Sequence, residues 1–310
     1  MGLTAAALTP PSPVTRSLIE TGAHLFDHRL DAAAADDLLG KIRGQRSFDH
    51  RLFQDEASFD ADPQFRGVNP RPGRNLLEQF QPELAFVEQD AGLVAGLSEV
   101  LGPDYVIMDR KVVCGVRAKS IPDWLKARID GQPVNNLGPY VKPEYRDVTY
   151  FYGIDFHQDI IDYRDREADF VTLYVYLHPV ARIDAPLFLL EGSHRLGATP
   201  FPHTLSRQGL DLWRYEGPDG DAIDVTQRVL TGGAGFAAIW HPFTLHGTQP
   251  DAADHERISL RYLVGRGSMT ANGMDTVNAS IRGPLSLATT RVDLAENGAA
   301  RLRVNTVRDA

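Results

Sequence analysis

The pattern of apolar positions changes character about a third of the way along this 310-residue chain. In the first third, apolar residues recur every three to four positions, which is the spacing of one face of an α-helix. Asp31 precedes one such stretch and Gly44 follows it, as an N-cap residue and a C-terminal breaker do. A second stretch runs from Glu83 to Leu101 and ends at Gly102-Pro103. We expect a helix over each stretch.

From Tyr105 onward, β-branched and aromatic residues dominate in short runs separated by glycine and proline. The runs do not alternate with helical stretches, which argues against a Rossmann sheet. Helices followed by many strands predict an α+β, mainly β fold whose strands close into a sandwich or barrel. The predicted strands are Tyr105–Met108, Lys111–Arg117, Asp147–Tyr152, Phe170–Leu177, Pro186–Leu190, Phe236–Ile239 and Arg257–Val264.

The length alone allows two domains, but the pattern favours one domain over residues 14–310 after an Ala/Pro-rich arm at residues 1–13. A long connection between predicted strands is typical of lids and binding loops. The predicted parts are a helical layer (14–104), a strand core (105–265) with a lid-like insertion (118–146), and a C-terminal extension (266–310).

Composition and charge limit the classes of partner that are expected for this chain. The chain has 32 Lys and Arg against 41 Asp and Glu, a formal charge of −9 that argues against a general nucleic-acid or anionic-membrane binder. No apolar run is long enough to span a bilayer, and the N-terminus lacks a basic region followed by an apolar core. We therefore expect a cytoplasmic protein without a membrane or nucleic-acid partner. Association into a homo-oligomer stays open.

The candidate chemistry lies in the histidines and carboxylates. With Cys114 as the one cysteine, cysteine-rich zinc sites are excluded, and any metal must be held by His, Asp or Glu. His157 and Asp159 stand at the end of a predicted strand, where residues i and i+2 point the same way. A later histidine such as His246 would complete the two-His, one-carboxylate set of non-haem Fe(II) oxygenases. The same pair also suits a solvated strand end.

An arginine strengthens the metal interpretation. Arg257 follows His246 by eleven residues on a largely apolar predicted strand, and a guanidinium inside a barrel needs an anionic partner. A dicarboxylate co-substrate would supply that partner through a bidentate contact. Arg261 faces the same side and would pair with an acid such as Asp155. His241 competes with His246 as the late metal ligand.

These residues resemble the phytanoyl-CoA dioxygenase-like group of Fe(II)/2-oxoglutarate-dependent oxygenases, over roughly residues 105 to 265. The resemblance implies a double-stranded β-helix, a jelly-roll or cupin-like barrel, with supporting N-terminal helices. The sequence departs from the family at Asp184-Ala185-Pro186-Leu187, where Asn-Gly-x-Leu is usual, and at Glu191, where proline is usual. The motifs that carry the resemblance are Phe156-His157-Gln158-Asp159, Gly192-Ser193-His194, and His246-Gly247-Thr248 followed by Arg257.

The resemblance also implies an activity. A C–H bond of a small-molecule substrate would be hydroxylated or otherwise oxidised by O2, while 2-oxoglutarate is converted to succinate and CO2. The arginine spacing of the family favours His246 over His241 as the ligand. The implied Fe(II) ligands are His157, Asp159 and His246, and the implied 2-oxoglutarate contacts are Arg257, Thr248 and Tyr174.

Two basic residues are candidate substrate contacts. Lys119 lies in the 118–146 insertion and Arg164 lies just after the His-x-Asp motif, although both also suit a solvated surface. Two other functions stay open. A cupin-type metal protein would have a second histidine at position 159, where this chain has Asp159, and a non-catalytic jelly-roll binding protein would keep the fold without turnover.

Overall fold

The computed structural model describes residues 11–61, 75–249, 255–268 and 270–293. Strands of one large sheet dominate the described chain, and most of its helices precede the first long strand. The predicted α+β, mainly β class is therefore confirmed. The predicted arm falls largely outside the described residues, as does the end of the C-terminal extension. No helix within the described ranges is both long and apolar enough to cross a membrane.

The helices begin where side chains can cap them. The Asp31 carboxylate accepts from the backbone N–H groups of Ala33 and Ala34, at 2.9 and 3.1 Å, so the predicted start of this helix is confirmed. Ser12 caps the preceding helix in the same way. The helices are α1 Pro13–Thr21, α2 Ala32–Gln45, α3 Glu56–Ala61, α4 Ala85–Glu88, α5 Ala91–Leu101, α6 Asp123–Ile129 and α7 Gly273–Asn278.

The continuous helix predicted from Glu83 to Leu101 is wrong. The segment opens with a short 3₁₀ turn, α4 ends at Glu88, and α5 begins afresh at Ala91. The reason is Asp90, whose carboxylate accepts from the Leu93 N–H at 2.9 Å and so caps a new helix. Helical spacing of apolar residues continues across the break, and both pieces pack into the same apolar cluster.

The strands extend beyond those predicted. The runs Tyr105–Met108 and Lys111–Arg117 belong to one long strand, and several short or polar strands have no counterpart in the prediction. The strands are β1 Ala23–Leu25, β2 Val106–Gly115, β3 Val134–Asn136, β4 Thr149–His157, β5 Phe170–Tyr176, β6 Leu187–Glu191, β7 Thr204–Arg207, β8 Leu212–Glu216, β9 Ala222–Leu230, β10 Ala237–Trp240, β11 His246–Thr248 and β12 Arg257–Gly265.

The strand order forms two antiparallel sets of four. One set runs β10-β5-β12-β2 and the other runs β4-β11-β6-β9, and a short parallel pairing of β2 with β4 joins them. Apart from β6 and β9, successive strands of this core alternate between the two sets. This is the order of an eight-stranded jelly roll, so the predicted double-stranded β-helix is confirmed. β1 extends one edge, β8 and β7 extend the other, and β3 flanks β4.

Strand β12 shows how the two faces of the first set differ. Leu260 and Tyr262 pack into the largest apolar cluster, which also contains Leu38 of α2 and Leu97 of α5. The alternate residues point the opposite way, towards the second set of strands. Because strand side chains alternate, Arg257, Ser259 and Arg261 on β12 face the barrel interior. Helices α2 and α5 cover the outer face of the first set, while its inner face carries polar side chains such as Arg257 together with apolar ones such as Val113 and Leu263.

Candidate metal centre and co-substrate pocket

Three side chains meet at one end of the barrel interior. His157 is the last residue of β4, Asp159 opens the 3₁₀ turn that follows, and His246 is the first residue of β11. His157 and His246 are direct partners in the antiparallel register. One ligand atom from each of the three side chains lies within 4.8 Å of the other two. No other group of three metal-ligating side chains approaches this closely within the described ranges.

The local sequence explains the alignment of the first two ligands. Gln158 has extended backbone angles, so His157 and Asp159 project to the same side. The buried Gln158 amide instead donates to the carbonyl oxygens of Gly197 and Phe243, at 2.8 and 2.9 Å. The residue between the two ligands thus anchors the turn to two neighbouring loops.

Both histidines present a free Nε2. Nδ1 of His157 lies 2.9 Å from the Asp155 carbonyl oxygen, and Nδ1 of His246 lies 3.0 Å from that of Thr244. A carbonyl oxygen can only accept, so the hydrogen resides on Nδ1 and the Nε2 lone pair is available. Burial lowers the pKa of His157 to about 3 and also lowers the pKa of His246. Both rings are therefore neutral near pH 7, as metal ligands must be.

The Asp159 carboxylate is ionised and fixed in position. Its Oδ1 accepts from Nη2 of Arg261 at 2.6 Å, and its Oδ2 accepts from Thr172 Oγ1 at 2.5 Å and Trp240 Nε1 at 3.0 Å. Burial alone would raise the pKa of Asp159, but the Arg261 charge, the two neighbouring histidines and the Thr172 hydrogen bond together outweigh burial and hold the pKa well below its usual range. Two neutral imidazoles and one carboxylate form a donor set that fits Fe(II).

The arginine beside Asp159 corrects one expectation. Arg261 pairs with Asp159 itself rather than with Asp155, whose carboxylate accepts from the backbone N–H of Phe156 at 2.8 Å. The contacts of Thr172 and Trp240 with Asp159 are likewise not predicted from the sequence. Their contacts depend on how separate strands align, and a single strand pattern does not reveal that alignment.

The three ligands line a cavity of about 750 Å³, which Tyr174, Thr248 and Arg257 also line. Arg257 is 1% exposed and its Nη1 donates to the Tyr174 hydroxyl at 2.8 Å. Thr248 Oγ1 donates to the Ala185 carbonyl oxygen at 2.9 Å. Gly115 lies opposite Arg257 in the register, and a Cβ there would lie only 3.3 Å from Arg257 Nε. The glycine therefore leaves room for the guanidinium.

The remaining predicted residues lie elsewhere. Lys119 and Arg164 are exposed and are not among the described residues that line the cavity. His241 is fully buried, with its Nε2 3.0 Å from Asn278 Oδ1, and it is not part of the three-residue group. Lys111 does line the cavity. Strand alternation could have identified it, because it shares the inward face of β2 with Val113 and Gly115.

Known proteins share limited similarity with the chain. No protein-family model matches the chain. A curated protein of Stutzerimonas stutzeri, named as a probable α-ketoglutarate-dependent hypophosphite dioxygenase, is 29% identical over 164 residues. The match covers 48% of this chain and 50% of that protein, so the chain spans about half the length of this relative.

Two solved structures are similar at low identity. The epimerase SnoN, in complex with Fe³⁺, α-ketoglutarate and a nogalamycin, is 14% identical with a TM-score of 0.49, over 94% of this chain and 93% of that one. EctD from S. alaskensis, with 2-oxoglutarate and 5-hydroxyectoine, is 14% identical with a TM-score of 0.47, over 93% and 90%. At these scores, the strand order rather than the superposition defines the fold.

Proposed function

We propose that the protein is an Fe(II)- and 2-oxoglutarate-dependent oxygenase that hydroxylates or otherwise oxidises a C–H bond of a small molecule. The observation that carries the proposal is the convergence of two neutral imidazoles and one ionised carboxylate in a cavity that also holds a buried arginine. The name of the Stutzerimonas stutzeri relative supports the co-substrate. The motifs around His157 and His246 support membership of the phytanoyl-CoA dioxygenase-like group.

The protein side chains have separate tasks. His157, Asp159 and His246 would hold the iron, and three ligands on one face leave adjacent positions for co-substrate and O2. When bound, iron, 2-oxoglutarate and O2 together supply the oxidising chemistry, and 2-oxoglutarate leaves as succinate and CO2. The protein needs no nucleophile of its own for this chemistry.

The distal carboxylate of 2-oxoglutarate would bind at Arg257, with Thr248 and Tyr174 beside it. Arg257 is buried, so its charge favours an anionic partner in the cavity. The Tyr174 hydroxyl already accepts from Arg257, and its own hydrogen can therefore be donated to a carboxylate oxygen. Lys119 and Arg164 stay predictions for contacts with the substrate outside the cavity wall.

The test is anaerobic loading followed by turnover. Fe(II) and 2-oxoglutarate added to the wild type should give a weak visible charge-transfer band, and a metabolite panel with O2 should show substrate-stimulated succinate. The variants His157→Ala and Asp159→Ala should lose both signals, while the exposed His50→Ala retains them. Succinate formation that survives both ligand variants would refute the proposal. Iron binding without the band or any succinate would indicate a non-catalytic jelly-roll protein.

A further inference from the structure

Besides Arg261, a second basic side chain, Lys111 on the neighbouring strand β2, lines the cavity of the candidate metal centre. Lys111 of β2 is the direct register partner of Arg261 on β12, and Arg261 is in turn the partner of Tyr174 on β5. Directly paired residues project to the same face of a sheet, and all three line the cavity. Lys111 and Arg261 thus form a basic pair on the cavity wall.

The two cations of this basic pair differ in how closely a carboxylate approaches them. Arg261 Nη2 lies 2.6 Å from Asp159 Oδ1. The Lys111 ammonium lies 3.9 Å from Asp109 Oδ2, which is beyond hydrogen-bond distance, and the Asp109 carboxylate is 45% exposed to solvent. Burial, followed by the charge of Arg261, lowers the pKa of Lys111 to about 8, against the opposing charges of Asp109, Asp162 and Asp159. The ammonium is therefore still charged near pH 7, but in an environment that disfavours its charge.

Metal binding would add positive charge next to the basic pair. The Asp159 carboxylate is at once the ion-pair partner of Arg261 and a candidate ligand of iron. When both cations share one carboxylate, the charge of Arg261 is offset less completely, and the Lys111 charge beside it adds to the positive potential. An anionic group entering from the cavity would neutralise both.

The basic pair is separate from the arginine assigned to the co-substrate. Arg257 pairs with Gly115, four residues along the same two strands from Arg261 and Lys111. At about 3.3 Å of rise per residue, the Cα atoms of Arg257 and Arg261 are roughly 13 Å apart. One strand pair, Val113 with Ser259, faces the interior between them. Arg257 and the basic pair therefore start from two different positions along the cavity wall.

We propose that the primary substrate carries an oxyanion group, such as a carboxylate, sulfonate or phosphorus oxyanion, and that Lys111 binds this group beside Arg261. The inference rests on the proposed function and adds the class of its substrate. Lys111 would thereby orient the substrate towards the metal. Lys41, an exposed lysine on α2 paired with Asp37 and Glu83, provides a matched control.

The experiment measures binding to the anaerobic protein loaded with Fe(II) and 2-oxoglutarate. Butyrate, methanesulfonate and phosphite are titrated separately, with butyramide as the uncharged counterpart of butyrate, and the visible band and the heat of binding are recorded. We expect at least one anion to shift the band saturably in the wild type. Its affinity should fall tenfold or more in Lys111→Gln, recover largely in Lys111→Arg, and stay unchanged in Lys41→Gln. The band before anion addition reports that each variant is folded and loaded.

The outcomes separate the two proposals. If the band forms but none of the anions shifts it or gives heat, or if butyramide binds as tightly as butyrate, the substrate inference is overturned and the oxygenase proposal stands. Equal anion affinity in Lys111→Gln and wild type would also overturn the role of Lys111. If no band forms in the wild type, the oxygenase proposal fails and the substrate inference fails with it.

Discussion

Arg261 donates a 2.6 Å hydrogen bond to Asp159, the one carboxylate of the candidate metal centre. The contact occupies Oδ1, while Oδ2 lies 3.5 Å from Nε2 of His246 and so faces the other ligands. A charged group behind a metal-binding carboxylate fixes its orientation and keeps it ionised. The guanidinium therefore fixes the carboxylate and keeps it ionised beside the two histidines.

Replacing Arg261 should weaken metal binding. Arg261→Met removes the fixed orientation and leaves buried Asp159 without its charge partner, so Fe(II) affinity should fall about 10- to 100-fold. Arg261→Lys should lose less, since it keeps the charge. Anaerobic Fe(II) titration measures the effect, with Arg214→Met, at an exposed ion pair with Asp224, as the control. Unchanged or tighter binding would mean that Arg261 competes with the metal for Asp159.

Replacing Arg257 should affect 2-oxoglutarate and leave the metal in place. Arg257→Lys keeps a positive charge but loses the fork that can bind a carboxylate in two places. Each lost charged hydrogen bond costs about 1.5–3 kcal/mol, which corresponds to roughly 10- to 100-fold in 2-oxoglutarate affinity. Fe(II) titration and the charge-transfer band separate the two steps. An equal loss of iron affinity would place Arg257 in the metal centre instead.

Gly115 offers an indirect test of the same arginine. A side chain at this position would press on Arg257, because an added Cβ already lies 3.3 Å from Nε and 3.4 Å from Cβ of the arginine. Gly115→Val should therefore weaken 2-oxoglutarate binding and lower the free energy of unfolding by about 1–3 kcal/mol. Gly40→Val is the control, since nothing lies within 4 Å of a Cβ at that helical glycine. Wild-type co-substrate affinity in Gly115→Val would contradict the pocket assignment.

Two histidines outside the candidate metal centre, the half-buried His203 and the buried His241, make the protein sensitive to acid. Burial lowers the pKa of His203 and of His241 to about 3. Below about pH 6.5 these histidines are protonated in the unfolded chain but stay neutral in the folded protein. The free energy of unfolding therefore falls as the pH drops from 6.5 towards 3. Each such histidine contributes about 1.4 kcal/mol per pH unit in this window.

Denaturant unfolding of the metal-free protein at pH 7 and pH 5 measures this effect. The variant His203→Gln should show a shallower pH dependence than the wild type, by about 1 kcal/mol per pH unit, while the exposed His50→Gln should not. A pH dependence in His203→Gln as steep as that of the wild type would show that other groups dominate acid unfolding.

The sequence carries the parts of the fold and site that depend on local pattern. His157 and Asp159 lie together because strand side chains alternate over two residues, and the Asp31 cap depends on a single turn. The break at Asp90 was missed because helical spacing continues across it. β7 was missed because all but one of its residues are exposed and no apolar alternation marks it.

Contacts between strands that lie far apart in the sequence cannot be predicted from the local pattern. Arg261 meets Asp159, and Lys111 meets Arg261, through the register of β12 against β2 and β5. A shift of two residues would keep every apolar pattern and change every partner. The composition of the cavity wall therefore emerges only from the closed barrel, and this is why Asp155 was the expected partner of Arg261.

The short strand β1 connects the N-terminal part of the described chain to residues that support the candidate metal centre. β1 pairs with β10, whose last residue, Trp240, donates to Asp159. Next to it, Gly22 accepts through its carbonyl oxygen from the N–H of His241 and from Thr244 Oγ1, just before the late histidine. A shortened protein that begins at β2 would therefore lack part of the scaffold behind the candidate metal ligands. We therefore expect the smallest unit that keeps the candidate metal centre to include the first strand, with the helical layer and the barrel expressed and engineered as one piece.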